Sequence, residues 1–355
     1  ADGAVRVCRV PLFANHSQSP LPRMLNYLSF GLSASTARRF ARETDVIYVY
    51  ATQMTAALGP WLWRLTRGAP YVLHVQDLWP DSIVGSSLLR AGLPSRLVAA
   101  LLNPWIASVY RHAAAVIGIA PTMTETLIRR GVDRRRTRLV YNWADEKPAQ
   151  SPSSAAIPHD SAETRLLYAG NVGDLQDLEN VVKAVHNAKD AGIQLTVLGG
   201  GVALPRIRAL VQELGATNIQ FREPVPGSEM PDVYGATDFA LVTLKALPVF
   251  AGTIPSKFQA ALANGVPVIS TVQGDLRTLV ETLGVGFAAD AEAPASLEAA
   301  LRAAARLSQD DRDTMAARAL QTCSDRFSLA AGANAVELVL AEAASGEPRN
   351  SVQQR

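Results

Sequence analysis

The strongest constraint on the fold is a repeated alternation of short apolar runs with longer stretches of helical periodicity. The apolar runs, which are predicted to be strands, lie at 46–51, 71–75, 115–119 and 138–142, and then at 164–169, 194–198, 219–222, 239–244 and 266–270. Strands that are apolar along their whole length and are separated by helices are typical of parallel sheets covered on both faces. The sequence therefore predicts an α/β protein with two doubly wound domains.

The composition of the chain suggests where the two domains meet. Residues 145–160 (DEKPAQSPSSAAIPHD) are rich in Pro, Ser and Ala, as linkers are. We predict an N-terminal domain over 1–145, a linker over 146–160 and a C-terminal domain over 161–326. A final helix is predicted over 327–345, and it could return to pack on the N-terminal domain. A polar tail over 346–355 follows it.

Charge is divided unevenly, although the formal net charge is only +2. Residues 1–148 carry 18 Lys and Arg against 9 Asp and Glu, and the remainder carries 16 against 23. A basic half indicates an anionic partner, and its densest cluster lies between Arg129 and Arg138. The alternative is a solvated helix end and loop. We predict no nucleic-acid partner, because the overall balance is near neutral and no nucleic-acid motif accompanies the arginines.

The chain shows no sign of secretion or of a membrane span. No apolar run approaches the ~20 residues that a span requires, and the first residues lack a signal peptide's pattern. Because only Cys8 and Cys323 are present, the expected compartment is a reducing cytoplasm. Residues 88–113 combine apolar and basic side chains with Trp105, which suits either a helix at an anionic membrane surface or a buried helix.

The segment 252–269 (GTIPSKFQAALANGVPVI) reads as a loop, a helix start and a buried strand. Pro255 suits the first helical turn, which places Ser256 and Lys257 at the positive end of the helix. Backbone N–H groups, a hydroxyl and an ammonium there would bind a diphosphate. The alternative is an ordinary capped helix before a core strand. Thr253 either reaches the same ligand or is only a loop residue.

Loops at the carboxyl ends of parallel strands are the expected ligand-binding loops of such folds. After the predicted strand 164–169 comes the turn GNVG, and after 194–198 come three glycines. Both sequences let the backbone approach a ligand closely. The residues predicted to do so are Gly170, Asn171, Gly173 and Gly199.

In the N-terminal domain, the loop after the predicted strand 71–75 carries Gln76 and Asp77. We predict that Asp77 makes a polar contact to a ligand, with the cap of a following helix as its alternative role. His74 lies within the strand and is interpreted as a satisfied core histidine.

Six motifs in chain order carry a resemblance to a known family: HVQDLWPDS, YNWAD, LLYAGNVGDLQDLENVV, VLGGG, YGATDFALVTL and TIPSKFQAALANGVPVIS. Together they resemble the retaining nucleotide-sugar glycosyltransferases of family 4. The resemblance is greatest to the bacterial branch that adds sugars such as N-acetylfucosamine to surface-polysaccharide repeat units, and it covers about residues 7–340. It implies the GT-B fold, in which two Rossmann-like domains face each other across a cleft.

The resemblance also implies an activity and its participants. A hexosyl group would move from a UDP-sugar, favoured over a GDP-sugar, to an undecaprenyl-diphosphate-linked or saccharide acceptor, without a metal or other cofactor. Lys257 and Ser256 would stabilise the leaving diphosphate, while Asp77 and Gln76 would contact the acceptor or sugar. Arg222 follows a strand at which the family holds the nucleotide base.

The sequence departs from the family pattern at several positions. The family's Arg and Lys after the first strand of the second domain fall on Asn171 and Gln176, and its two glutamates fall on Gly252 and Ala260. Lys257 is therefore the main cation available for the diphosphate. The glycine-rich loop that normally opens the family is also not present, so either residues before Ala1 are missing from this numbering, which we favour, or the donor is covered differently.

Two other functional classes share this architecture. The loss of the glutamate pair makes a non-catalytic GT-B scaffold subunit the more serious alternative to a transferase. A nucleotide-sugar 2-epimerase would need acid–base carboxylates and histidines in the cleft, and His74 and Asp77 alone are few for this chemistry.

Overall fold

The computed structural model of the chain describes residues 5–14, 20–80, 93–144 and 163–346. They form two compact units, each with its own sheet. Unit 1 contains the chain up to Tyr141 together with the residues from Ala333 onwards, and unit 2 is Asn142–Gly332. The predicted linker 146–160 and all but the first residue of the predicted tail lie outside the described residues.

Unit 1 is built on a parallel sheet with the strand order β1-β2-β3-β4. Strand β2 is buried along its whole length because both faces of the sheet are covered. The elements are α1 Pro20–Ser35, β1 Ile47–Ala51, α2 Leu58–Leu65, β2 Tyr71–Val75, α3 Leu93–His112, β3 Ala115–Gly118, α4 Pro121–Arg129 and β4 Thr137–Leu139.

Unit 2 is built on a parallel sheet with the order β10-β9-β8-β5-β6-β7. The elements, in chain order, are β5 Thr164–Ala169, α5 Leu178–Asn187, β6 Ile193–Leu198, α6 Leu204–Glu213, β7 Ile219–Arg222, α7 Met230–Gly235, β8 Phe239–Val242, α8 Ser256–Ala263, β9 Val268–Ser270, α9 Asp275–Leu283, β10 Gly286–Ala288, α10 Pro294–Ala305, α11 Gln309–Thr322, a π-helical turn Cys323–Phe327 and α12 Leu329–Ser345.

The last helix, α12, runs from unit 2 into unit 1. Its residues Val336 and Val339 belong to one buried cluster with Val72 and Ile117 of the first sheet and with Val140, which follows β4. Apolar burial of this kind makes the final part of the helix a covering layer of unit 1.

The predicted fold class, two parallel-sheet α/β domains, is confirmed. Each predicted apolar run overlaps a strand, although β4 and β6 begin one residue before their predicted starts, and β4 and β8 end before their predicted ends. The additional strand β10 was not predicted. Its three residues are only half-buried, so they do not form the continuous apolar run that reveals the other strands.

One helical stretch, Gln309–Ser345, is long and apolar enough to cross a membrane by length and composition alone. It consists of α11, the π-helical turn and α12. Its residues Ala319, Phe327 and Val336 are buried within the protein. Helices packed in a protein core pass the same test, so this is weak evidence for a membrane span.

Candidate functional site

Helix α8 begins at Ser256, and Pro255 is its N-cap. The predicted place of Pro255 in the first helical turn is therefore wrong. Its ψ of 141° is extended, so it directs the chain into the helix from outside, and its carbonyl accepts the N–H of Phe258 at 2.9 Å. Ser256 and Lys257 occupy the first helical positions, where N–H groups have no acceptor inside the helix. These donors lie at the positive end of the helix dipole.

The side chain of Lys257 folds into the protein. Its Nζ is buried without a hydrogen-bond partner and lies 3.6 Å from the centre of the Tyr168 ring. Burial lowers the pKa of Lys257 to about 8. An enclosed ammonium with unpaired donors is costly unless a negative group joins it, so the arrangement is suited to an anion.

The conformation of Gly170 leaves the space that the Lys257 side chain occupies. Gly170 follows β5 with a φ of +127°, which L side chains rarely adopt. A Cβ at this position would lie 2.9 Å from Cε and 3.3 Å from Nζ of Lys257. The structure thus brings together two predicted site residues, Gly170 and Lys257, through direct packing.

The two glycine loops after β5 and β6 are joined by backbone hydrogen bonds. The N–H of Gly170 donates to Leu198 at 2.9 Å, and the N–H of Val172 donates to Gly200 at 2.8 Å. Gly199 has a φ of +140°, and a Cβ there would lie 2.1 Å from the carbonyl oxygen of Gly170. The close approach that Gly199 permits is therefore to another loop of the protein.

Gln176 closes the loop that contains Asn171 and Gly173. Its Oε1 accepts the N–H of Gly173 at 3.0 Å and the side-chain amide of Asn171 at 3.5 Å. Its carbonyl accepts the hydroxyl of Thr243 at 2.6 Å. The residue that replaces the family's Lys therefore shapes the loop.

Thr253 is half-buried in the loop that leads into α8. Its N–H donates to Phe250 at 2.9 Å. The carbonyl of Ala251 accepts the N–H of Asp275 at 2.8 Å, and Gly274 packs against the same carbonyl. The approach to the helix is thus fixed by backbone contacts.

Arg222 is exposed at the end of β7, and its carbonyl accepts the N–H of Gly199 at 3.2 Å. The residue also lines a groove of about 380 Å³ on the sheet, together with Gln194, Thr196 and Gln220. The backbone of Arg222 therefore contacts the glycine loop after β6, and Arg222 also forms part of the groove lining.

In unit 1, Gln76 and Asp77 follow β2. Gln76 is buried and its N–H donates to the carbonyl of Ala51 at 3.0 Å, whereas Asp77 is exposed. The residues directly after Asp77, Leu78 to Pro80, are not helical, so the structure does not show the alternative role of Asp77 as a helix cap, and residues 81–92 lie outside the described part of the chain.

His74, which precedes this loop, is completely buried. Its Nδ1 lies 2.6 Å from the hydroxyl of Tyr48. Burial lowers the pKa of His74 to about 4, against an opposing effect of the Val140 backbone. It is a buried, neutral core histidine at physiological pH, as the sequence indicated, but its Nε2 has no hydrogen-bond partner in the described part of the chain, so the prediction that its polar atoms are satisfied is confirmed only in part.

The arginines between 129 and 138 make contacts within unit 1. Arg136 donates to the carbonyl of Ala113 at 2.8 Å, and Arg138 forms an ion pair with Glu342 at 2.9 Å. Arg134 pairs with Glu125 at 3.2 Å. These contacts are compatible with the alternative of a helix end and loop at the protein surface, and an anionic partner of the cluster stays a prediction.

Near its C-terminal end, the helix of the segment 88–113 packs one face into unit 1. Trp105 packs edge-on against Trp61, with ring centres 6.4 Å apart, and Val109 and Tyr110 are buried. Residues 88–92 of the segment lie outside the described ranges, and contact with a membrane surface stays a prediction.

Among the residues that the structure describes, no group of three or more His, Cys, Asp and Glu side chains is placed to hold a metal ion. Metal independence itself stays a prediction.

Tyr168 is the site residue that sequence reasoning missed. It lies in β5, and its hydroxyl donates to the carbonyl of Asn171 at 2.6 Å. The only available signal was an aromatic residue two positions before Gly170 in a buried strand, which is more often part of a core.

Two domain families match the chain in succession. "Glycosyl transferase 4-like domain" matches residues 1–143, and "Glycosyl transferases group 1" matches residues 150–322. The two matches correspond to most of the chain.

Two curated bacterial relatives are similar over much of the sequence. The chain is 29% identical over 318 residues to the colanic acid biosynthesis glycosyl transferase WcaI of Escherichia coli K12, covering 85% of this chain and 77% of the relative. It is 24% identical over 264 residues to the glycosyltransferase WbjE of Pseudomonas aeruginosa, covering 72% and 65%.

Solved structures share the fold. Anabaena Alr3699/HepE in complex with UDP gives a TM-score of 0.67 at 16% identity, covering 91% of this chain and 84% of that one. WaaG, a glycosyltransferase involved in lipopolysaccharide biosynthesis, gives 0.61 at 12% identity, covering 94% and 86%. The family matches and the two parallel-sheet domains lead to one conclusion: this chain belongs to the GT-B glycosyltransferases.

Proposed function

We propose that the protein is a retaining hexosyltransferase that moves a sugar from a UDP-sugar to an undecaprenyl-diphosphate-linked or saccharide acceptor in cell-surface polysaccharide synthesis. The observation that carries the proposal is the buried, unpartnered ammonium of Lys257 in the first turn of α8. WcaI is named for colanic acid biosynthesis, which supports the pathway class. HepE has been solved with UDP and with UDP-glucose, which supports UDP over GDP.

The chemistry requires stabilisation of a leaving diphosphate. The bond between the anomeric carbon and the diphosphate oxygen breaks, the acceptor oxygen bonds to the same face of that carbon, and the acceptor proton passes to the departing diphosphate. Charge that develops on the diphosphate would be stabilised by the ammonium of Lys257 and the N–H groups of Ser256 and Lys257. Since these groups supply positive charge without a metal ion, the proposal includes no metal or other cofactor.

The remaining predicted residues have proposed roles in binding. Thr253 lies in the loop before Pro255, where it can meet the sugar or phosphate. The backbone between Gly199 and Arg222 would hold the nucleotide, and Asp77 with Gln76 would orient the acceptor or sugar from unit 1. Because nucleotide sugars are the donors, we place the reaction in the cytoplasm, with peripheral attachment to the inner membrane face as part of the proposal.

Nucleotide release tests this function. The protein is incubated with UDP-sugars and GDP-sugars, with and without a polyprenyl-diphosphate-linked saccharide, and both the free nucleotide and the sugar products are measured. A transferase releases UDP when the acceptor is present, and Lys257→Met reduces that release. Formation of a sugar isomer without release would indicate an epimerase. Nucleotide binding with neither product would indicate a scaffold subunit, and either result would contradict the proposal.

A further inference from the structure

The ring of Tyr168 is in direct contact with the Lys257 ammonium. The 3.6 Å separation between Nζ and the ring centre is well inside the ~6 Å range of cation–π attraction. Tyr168 is fully buried in the core of unit 2, and its hydroxyl donates to Asn171. The ring is therefore held both by core packing and by its own hydrogen bond.

The surroundings of Lys257 restrict a side chain that is normally flexible. A lysine has a four-carbon stem whose freedom is lost when it becomes ordered. Here the stem and Nζ pack against Gly170, and the ammonium lies over Tyr168. The side-chain entropy of Lys257 is therefore already lost when the protein folds. Less entropy remains to be lost when a ligand binds.

The nature of the partner is as important as its position. A carboxylate would neutralise the ammonium and use its N–H donors, whereas an aromatic face attracts the charge through its quadrupole. In the structure Nζ makes no hydrogen bond, so its N–H donors are not used by another group of the protein.

We propose that Tyr168 is a positioning residue, whose ring holds the Lys257 ammonium in place for the diphosphate of the donor. This inference rests on the proposed function and adds a residue to its phosphate site. Tyr168 acts through Lys257 and does not itself contact the donor.

Binding measurements with two probes test this role. UDP contains the diphosphate and uridine does not; GDP and guanosine replace them if the wild-type protein binds GDP instead. We expect Tyr168→Leu to weaken UDP binding about 3- to 30-fold, because the cation–π contact is lost. Uridine binding should be unchanged, and Tyr168→Phe, which keeps the ring, should restore UDP binding to within about twofold.

Phe239→Leu is the matched control for core damage. Phe239 is fully buried in the same core and packs against Phe287, with ring centres 6.0 Å apart. This variant should leave both affinities unchanged. Equal losses of UDP and uridine binding in Tyr168→Leu would show a merely structural role and overturn the inference.

A double-mutant cycle then assigns the effect to Lys257. In a Lys257→Met background, Tyr168→Leu should cause no further loss of UDP affinity; a full additional loss would overturn the inference.

If Tyr168→Leu does not fold, replacement of Tyr168 by phenylalanine is compared with replacement by fluorinated phenylalanine. Fluorination keeps the shape and weakens the negative ring face, so UDP binding should fall, and unchanged binding would contradict the role of the ring.

The outcomes separate the inference from the function on which it rests. If the wild-type protein binds neither UDP nor GDP, both are rejected. If Lys257→Met weakens binding and Tyr168→Leu does not, the phosphate site stands and only the role of Tyr168 is rejected.

Discussion

The carboxyl ends of the two sheets differ in how their polar groups are arranged. In unit 2, backbone hydrogen bonds join the loops after β5 and β6, and Lys257 is enclosed between Gly170 and Tyr168. In unit 1, the loop after β2 presents an exposed Asp77, while the neighbouring His74 is buried and neutral. Unit 2 therefore has a fixed positive site, and unit 1 has an accessible carboxylate. In the proposed function, the enclosed ammonium of unit 2 would bind the charged donor, and the exposed Asp77 of unit 1 would contact the acceptor or sugar.

A substitution at Gly199 should disrupt the packing between the loops after β5 and β6 of unit 2. Gly199→Ala should lower the free energy of unfolding by about 3 kcal/mol, because the residue has a positive φ and its new Cβ would meet the carbonyl of Gly170. Denaturant unfolding measures the change. Gly200→Ala is the matched control, since its Cβ would meet no atom within 4 Å, and it should be nearly silent. Equal stability of the two variants would contradict the proposed loop packing.

Removal of the positive charge from unit 2 should weaken donor binding strongly. Lys257→Met keeps an apolar stem against Tyr168 but loses the ammonium, so UDP affinity should fall about 10- to 100-fold. Isothermal titration at constant ionic strength measures this. Lys183→Met, which changes an exposed lysine on α5, should bind UDP normally. An unaltered affinity in Lys257→Met would mean that the phosphate site is elsewhere.

A change in unit 1 should affect the reaction without affecting the donor affinity. Asp77→Asn should lower kcat about tenfold through poorer orientation of the acceptor or sugar, with the Kd for UDP unchanged. Nucleotide release and titration on the same preparation give both values. Weaker UDP binding in this variant would contradict the division of roles between the units.

The pH dependence of UDP binding sharpens the same comparison. Burial lowers the pKa of Lys257 to about 8, so the ammonium loses its proton as the pH rises through that value. UDP affinity should therefore fall about fourfold between pH 7 and 8.5, and the fall should be missing in Lys257→Met. Tyr168 does not titrate in this window because burial raises its pKa. A wild-type affinity that stays constant over this range would contradict the role of the charge.

The sequence predicted the fold well because the strands of buried parallel sheets are continuous apolar runs. Strand β5 was predicted with its observed bounds, whereas β10 is short, half-buried and therefore without a clear pattern. The position of Pro255 was wrong by one helical position, because Pro is compatible both with an N-cap and with the first turn and the choice depends on ψ.

The candidate site was less predictable because its contacts are distant in sequence. The motif around Lys257 indicated a helix start with a cation, but nothing local shows that its partner is the ring of Tyr168. The glycines were expected to admit a ligand, yet Gly199 admits the carbonyl of Gly170. Such pairings depend on the packing of β5, β6 and α8.

The most direct test of the diphosphate site is a titration of Lys257 itself by NMR. The chain contains five lysines, so ¹³C-labelled lysine gives few resonances, and Lys257→Met assigns the one of interest. We expect this resonance to titrate near pH 8, and saturation with UDP to raise its pKa while the other lysines are unaffected. A Lys257 resonance whose pKa is the same with and without bound UDP would contradict the assignment of the diphosphate to the start of α8.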